Sequence, residues 1–416
     1  MTEIKKLSDI AEFINGGAWD QGSYSDKGIA VVRVSDVKNG EIDLSQCKFL
    51  KKELSEKYKK HQLQEDDLII CTVGSHPTQP GSVVGRTAVV SSEVTGSYLN
   101  QNAVLLRAKE GFDQKWLGFL GSNPDFHSYI KAHARGAASQ VRMSISALKE
   151  MPIPSISLAQ QKKSSDILDT YRSSIRNNLK KIKVLEKMAQ TIYIEWFVNF
   201  RFPGHENVNL VDSKTDFGEI PEGWTVEKML DVGQVITGKT PSKLIESNFG
   251  HEVPFIKTPD LHGNMFCIKT SEYLSEKGAS SQKKKNLPRN TLIVSCIGTL
   301  GVVSITTKES QTNQQINALV PNDDTFLEYG YFLLKGMKKQ LQNLGSNGAT
   351  MGNVNKGKFE NIKVILPSKA NLNEFNQVTS TMFQLIENLQ KQNLYLTQTR
   401  DLLIPKLVTG EIEIKA

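Results

Sequence analysis

The sequence predicts a mixed α/β (α+β), strand-rich protein built as a tandem repeat of two globular domains, each followed by a long coiled-coil helix. Three observations lead there. One order of short motifs occurs twice along the 416 residues. Each copy is made of short Val-, Ile- and Thr-rich runs broken by Gly, Pro, Asn and Ser, the pattern of brief strands and tight turns. Each copy then closes on a Pro-bearing stretch and enters a long segment whose apolar residues recur at spacings of three and four.

The repeat is read first, because it fixes the plan before any motif is weighed. KLSDIAEFINGGAWD (6–20) parallels KMLDVGQVITGKTPS (228–242), and VVRVSDVKNGEIDL (31–44) parallels PFIKTPDLHGNMFCI (254–268). LIICTVG (68–74) matches LIVSCIG (292–298), and NQNAVLL (100–106) matches NQQINAL (313–319). RGAASQVRMSISALKEMPIP (135–154) matches NGATMGNVNKGKFENIKVILP (347–367), with the order kept throughout. Each copy opens on a short helix or turn, passes a Gly-rich loop and continues as strands. The boundaries follow: 1–155 for the first domain, 156–200 for a central helix, 201–223 for a linker, 224–368 for the second domain and 369–416 for a C-terminal helix.

In the central helix Leu168, Tyr171, Ile175, Ile182, Leu185, Ile192 and Trp196 form the apolar seam, and Asn178 interrupts it. In the C-terminal helix Phe375, Val378, Met382, Leu385, Leu389, Leu396 and Leu403 do the same, interrupted by Gln392 and Thr399. A sustained 3.5-residue repeat is a coiled-coil signature, and polar seam positions fix register and partner at some cost in stability. About 30 residues in each rod would span roughly 45 Å.

Composition narrows the class. Net charge is +7, and the excess is clustered at KKELSEKYKK (51–60), QKKKNLPR (282–289) and Lys335, Lys338 and Lys339. Such clusters suit a polyanionic partner, although any one of them alone is an ordinary solvated face. No apolar run of about 18 residues could span a bilayer. The N-terminal MTEIKKLSDI lacks the apolar core of a signal peptide. Cys47, Cys71, Cys267 and Cys296 are far apart and lack metal-ligand spacing. Cys71 and Cys296 lie inside apolar runs as small core residues, so a reduced, cytoplasmic protein without a metal is expected.

Two motifs point to chemistry. The stretch 233-GQVITGKTPSK-243 contains Gly-x-x-x-x-Gly-Lys-Thr, the phosphate-loop pattern. A working loop must leave a buried strand and enter a helix. Here a polar, amphipathic stretch precedes Gly233, Pro241 biases Thr240 away from helix, and no later strand ends in a magnesium-holding Asp. The repeat also sets Gly16, Gly17 and Ala18 opposite Gly238, Lys239 and Thr240, so only a Gly-rich turn is common to both copies. GFLGSNPDF (118–126) approaches the Asn-Pro-Pro-aromatic motif of amino-methyltransferases, but Asp125 replaces the second Pro. Helix capping is the better reading of Asn123. No catalytic constellation is found.

Four further stretches carry a resemblance: GEIPEGWTVEKMLDV (218–232), NQQINALVP (313–321), LAQQKK (158–163) and the tail TRDLLIPKLVTGEIEI (399–414). Together with the tandem order, they make the whole chain resemble specificity subunits of type I restriction–modification enzymes. The resemblance implies two target-recognition domains joined by two long helices that pair antiparallel, with approximate two-fold symmetry. It implies double-stranded DNA as ligand and, as partners, two modification (adenine methyltransferase) subunits and two ATP-dependent restriction subunits, with no membrane. This chain would itself bind no cofactor; AdoMet, ATP and Mg would sit on the partners. Each domain would read one half of a bipartite target, and the rod length would set the spacer.

DNA contacts are sought in polar loops at equivalent places of the two copies, where donors and acceptors can reach base edges or phosphates. In the first domain these are Gly16, Gly17, Trp19 and Tyr24, then Ser75, His76, Gln79 and Arg86, then Arg135, Ser139, Gln140 and Arg142. In the second they are Lys239, Thr240, Ser242 and Lys243, then Lys257, His262 and Thr299, then Asn347, Asn353, Asn355 and Lys356. Any single one can equally be a solvated loop side chain. Trp19 and Tyr24 either stack on a distorted base or anchor their own loop. Asn100-Gln101 and Asn313-Gln314, shared by domains that would read different bases, hold structure or phosphate. Outward residues Tyr193, Phe197 and Phe200 either seat a modification subunit or pack on the neighbouring domain. The rival readings are a solitary NTPase using Gly233 to Thr240 and a coiled-coil adaptor without DNA affinity.

Overall fold

A computed structural model describes residues 3–38, 40–75, 82–137, 140–346 and 352–414, without the side chains of Ala137 and Gln140. The chain divides into two compact units, Met1–Ile175 with Tyr395–Ala416, and Arg176–Leu394. Each unit therefore holds one strand-rich domain and a portion of both long helices.

In the first unit an antiparallel sheet runs in the order Thr87–Val89, Leu68–Cys71, Ala103–Ala108, Ala11–Asn15. Leu68–Cys71 is buried along its whole length. Its residues alternate between two cores: Leu68 and Ile70 pack with Val104, Leu106 and Trp116, whereas Ile69 and Cys71 pack with Leu99, Ala103 and Leu105. A strand covered on both faces reads as a continuous apolar run, which is why LIIC carries no polar residue. A second sheet pairs Tyr98–Leu99 parallel to Ile29–Val32, followed by Lys48–Leu50 and Tyr24–Ser25. Glu3–Lys6 closes the domain against Pro152–Ser155.

The second unit repeats this plan on different side chains. Its main sheet runs Val303–Thr306, Leu292–Ser295, Ile316–Pro321, Gly233–Thr237, with Phe266–Cys267 added at the edge. Leu292 and Val294 face one core and Ile293 the other. Gln311–Thr312 again pairs parallel, to Phe249–Ile256, and Thr225–Lys228 pairs with Lys363–Leu366. The stretch 201–223 folds as a hairpin, Leu210–Asp212 on Glu219–Pro221, with Phe202 and Ile220 in the core. Trp224 of the Pro-Glu-Gly-Trp stretch is buried, and its Nε1–H donates to Asn371 Oδ1 at 3.0 Å.

The two long helices span Leu158–Tyr193 and Lys369–Val408, about 54 and 60 Å at 1.5 Å per residue. A π turn, Ile194–Val198, ends the first. Within the second unit Asn178 meets Gln392 and Asn393, while Tyr193, Trp196 and Phe197 meet Phe375. The helices are therefore antiparallel there. In the first unit Ser164 Oγ donates to the Leu407 carbonyl at 3.1 Å, and Trp116 Nε1–H to the Val408 carbonyl at 3.1 Å. Gln161 of LAQQKK is buried and accepts from the Asp113 amide.

The predicted seam needs correction in the C-terminal helix. Val378 and Leu385 are 43% and 44% exposed, and Phe383 and Ile386 are buried in their place. Phe383 packs on Phe266, Tyr331 and Phe332 of the second domain. The helix thus buries a broad face against a partner helix and a domain together, rather than a narrow 3.5-residue stripe. Leu168, Phe375 and Leu389 are buried, and Ile182, Leu185, Ile192, Trp196 and Met382 are partly buried against the same core as Phe375. Thr399 is exposed. Tyr193, Phe197 and Phe200 belong to this core too, and Phe197 lies against Tyr329 and Trp224. They are packing residues and offer no free docking face.

Asn178 Nδ2 donates to Gln392 Oε1 at 3.0 Å and Asn393 Oδ1 at 2.9 Å. The two polar interruptions thus meet in one contact that a slipped register would break. Asn178→Ala removes both bonds, and because water can reach the exposed Gln392 the expected loss of stability is about 1–2 kcal/mol, read from urea unfolding. Each domain is also tied to its helix by charge at the turn entering its buried strand. Asp66 pairs with Arg172 at 3.0 Å in the first unit. Arg289 reaches Glu387 at 2.6 and 3.0 Å in the second. The signs are reversed between the two pairs, so exchanging the helices would oppose like charges.

Candidate nucleic-acid interface

The phosphate-loop match is resolved by hydrogen bonding. Gly233–Thr237 is itself a strand of the main sheet, paired with Ile316–Pro321, and no helix starts at Thr240. The amides that would hold phosphate are used internally: Gly238 N–H donates to the Ile316 carbonyl and Lys239 N–H to that of Thr312. The first domain shows the same arrangement, with Gly16 N–H on Ala103 and Gly17 N–H on Leu99. What the two copies share is a close backbone approach. A Cβ on Gly16 would lie 2.0 Å from the Asn100 carbonyl oxygen, and one on Gly238 2.1 Å from that of Asn313. Asn100 and Asn313 are buried, and their side chains accept from the Asn102 and Gln315 amides. They hold the chain's own backbone.

Several proposed contacts are occupied in the same way. Trp19 Nε1–H donates to the Tyr24 hydroxyl at 2.8 Å, and Trp19 packs edge-on to Tyr58, so both rings anchor their loop. Arg86 donates to the Ser82 and Val37 carbonyls. Lys257 pairs with Glu272. Thr240 donates to Gln314 Oε1 at 2.7 Å. Asn355 caps a helix by accepting from the Lys358 amide, and Lys356 pairs with Glu360. Ser242 stays exposed, with only its backbone carbonyl engaged, by Asn248 Nδ2. Tyr58, Val37, Glu272 and Gln314 lie 15 to 74 residues from their partners, beyond the reach of sequence reasoning, whereas the caps and short-range pairs are local.

Arg142, Lys239, Lys243, His262, Thr299 and Asn353 remain exposed. Ser75 is half-buried and directly follows the short strand Val73–Gly74. His76, Gln79, Ser139 and Asn347 lie outside the described residues, as does the Gln140 side chain. In the first domain the strands Arg135–Ala137, Gln140–Arg142 and Val73–Gly74 form a small antiparallel sheet, with Arg135 directly across from Arg142. Like charges facing each other across a ladder are unfavourable alone and are relieved by an anion. Arg135 also donates to the Ala132 carbonyl at 2.9 Å.

Three of the four thiols are buried core groups. Burial pushes the Cys71 and Cys267 thiols up to about 12 and that of Cys296 up to about 11, which leaves them protonated and inert. Among the described residues no group of His, Cys, Asp or Glu could hold a metal ion, and no described helix is long and apolar enough to cross a membrane. The near-miss Asn-Pro-Asp-Phe caps a helix, with Asn123 Oδ1 accepting from the Asp125 amide at 3.1 Å and Pro124 at the first helical position.

Two domains of one topology, each packed on antiparallel long helices, define a tandem recognition-domain architecture. Residues 2–187 and 221–398 match the family described as "Type I restriction modification DNA specificity domain". The chain belongs to this family, the specificity subunits of type I restriction–modification systems. It is 43% identical over 195 residues to the Type I restriction enzyme HindI specificity subunit of Haemophilus influenzae, a match spanning 46% of this chain and 42% of that protein. Along 99% of its length, and 94% of the relative's, it is 26% identical to the Type I restriction enzyme MjaIX specificity subunit of Methanocaldococcus jannaschii. The crystal structure of the S subunit from M. genitalium has the same fold, with a TM-score of 0.61 at 15% identity, covering 97% of this chain and 95% of that one.

Proposed function

We propose that this chain is the non-catalytic address of a type I complex, each domain reading one half of a bipartite duplex target. The two helices set the unread spacer and seat two modification subunits, through which two restriction subunits are recruited, in the cytoplasm. AdoMet, ATP and Mg belong to those partners. One observation carries this reading: the same fold occurs twice, on unlike loops, within one chain whose long helices are locked in register by Asn178, Gln392 and Asn393. Like scaffolds with unlike loops suit two different half-sites.

The test is a map of methylated adenines in DNA from cells carrying this chain and its cognate modification subunit. A two-part motif with a fixed gap is expected. A contiguous motif, or no sequence preference, would count against the reading. Salt-dependent binding of the complex to duplex DNA separates it from an adaptor without DNA affinity.

A further inference from the structure

In each domain the segment paired beside the end of the buried strand carries an exposed polar residue at the same structural position, Arg142 in one and Asn353 in the other, and the two have different base-reading chemistry. In the first domain Arg142 lies opposite Val73, and the next residue, Met143, donates its amide to the Thr72 carbonyl at 2.8 Å. In the second, Asn353 bridges Ile297, and the next residue, Val354, donates to the Cys296 carbonyl at 2.9 Å. The following residue is a helix N-cap in both, Ser144 accepting from Ala147 and Asn355 from Lys358. Four residues beyond each cap, Leu148 and Phe359 are buried. Burial alternates alike: Met143 and Val354 point inward and Arg142 and Asn353 outward. Laid end to end from Arg135 and Asn347, the two stretches would instead set Arg142 opposite Val354, a one-residue slip that turns a side chain to the wrong face.

We propose that positions 142 and 353 are one readout position used twice, Arg142 reading a guanine in one half-site and Asn353 an adenine in the other. This rests on the recognition function proposed above. The guanidinium fork matches guanine O6 and N7, and the carboxamide matches adenine N6 and N7. Neither side chain has a hydrogen-bond or ion-pair partner among the described residues, unlike Asn355 and Lys356 beside them. Arg142 also stands across from Arg135, a pairing that an anionic duplex would relieve.

Arg142→Asn and Asn353→Arg, each assembled with the cognate modification subunit, test this by methylated-adenine mapping and by binding to duplexes carrying single base changes. Melting curves confirm that both variants fold. Arg142→Asn is expected to change the preference at one base of one half-site by about 10- to 100-fold, leaving the other half as in the parent. Asn353→Arg is expected to do the same in the opposite half. Unchanged preferences in both variants overturn the assignment. A uniform loss over all sequences with a shallower salt dependence, the mark of a phosphate contact, overturns it too. In either case a bipartite motif in the parent complex keeps the proposed function standing. Its absence from the parent overturns both.

Discussion

Phe375→Ala is expected to lower the stability of the second unit by about 3–5 kcal/mol, the range for removing a fully enclosed phenyl ring. Phe375 is fully buried against Tyr193, Trp196 and Phe197 at the end of the central helix. Its ring lies 4.9 Å from Phe197, edge to face, and 5.8 Å from Trp196. Phe197 in turn meets Tyr329 at 4.8 Å and Trp224 at 5.7 Å. The Phe375–Phe197 pair therefore joins the central helix, the C-terminal helix and the second domain. For a unit of this size the loss corresponds to a fall of roughly 10 °C in Tm, measurable by calorimetry on the full chain. A change below about 1 kcal/mol, the scale of an exposed substitution, would mean that the cluster is loosely packed and the helix pair is not anchored to this domain.

Gly16→Ala and Gly238→Ala should each cost about 2–3 kcal/mol or more, by forced separation of two backbone segments. Neither glycine requires a left-handed backbone; space is the constraint. The new Cβ would meet the Asn100 carbonyl oxygen at 2.0 Å in one domain and that of Asn313 at 2.1 Å in the other, and neither is a flexible side-chain end. Relief requires breaking the bond from Gly16 N–H to Ala103, or from Gly238 N–H to Ile316. Because each change acts on one domain, Gly16→Ala should blur one half of the methylation motif and Gly238→Ala the other. Variants with parental melting curves and two intact half-sites would show that the loops accommodate a methyl group.

The duplication, the buried strands and both long helices were legible from sequence because each is a local, periodic signal. LIIC and LIVS are apolar throughout since both faces of their sheets are covered. Asn178 and Gln392 stood out as polar breaks in a seam, and the structure joins them. The seam itself was misjudged at Val378 and Leu385, because periodicity describes one helix and cannot register a domain packed on its flank. The candidate site was legible only as loops. Trp19 with Tyr24 and Asn355 with Lys358 are spent on loop anchoring and capping, as are Lys257 on Glu272 and Arg86 on Val37 through contacts that composition does not reveal. The equivalence of Arg142 and Asn353 was hidden by a single-residue slip that only the hydrogen bonds resolve.

The claim that the rods hold two readers at a fixed separation is tested most directly by lengthening them. One heptad inserted into each helix, between residues 175 and 176 and between 394 and 395, preserves the seam period. It adds about 10 Å, or roughly three base pairs at 3.4 Å each. Methylated-adenine mapping should then return both half-sites unchanged, with a gap about three base pairs longer. An active complex that keeps the parental gap, or one whose half-sites themselves change, would contradict the account.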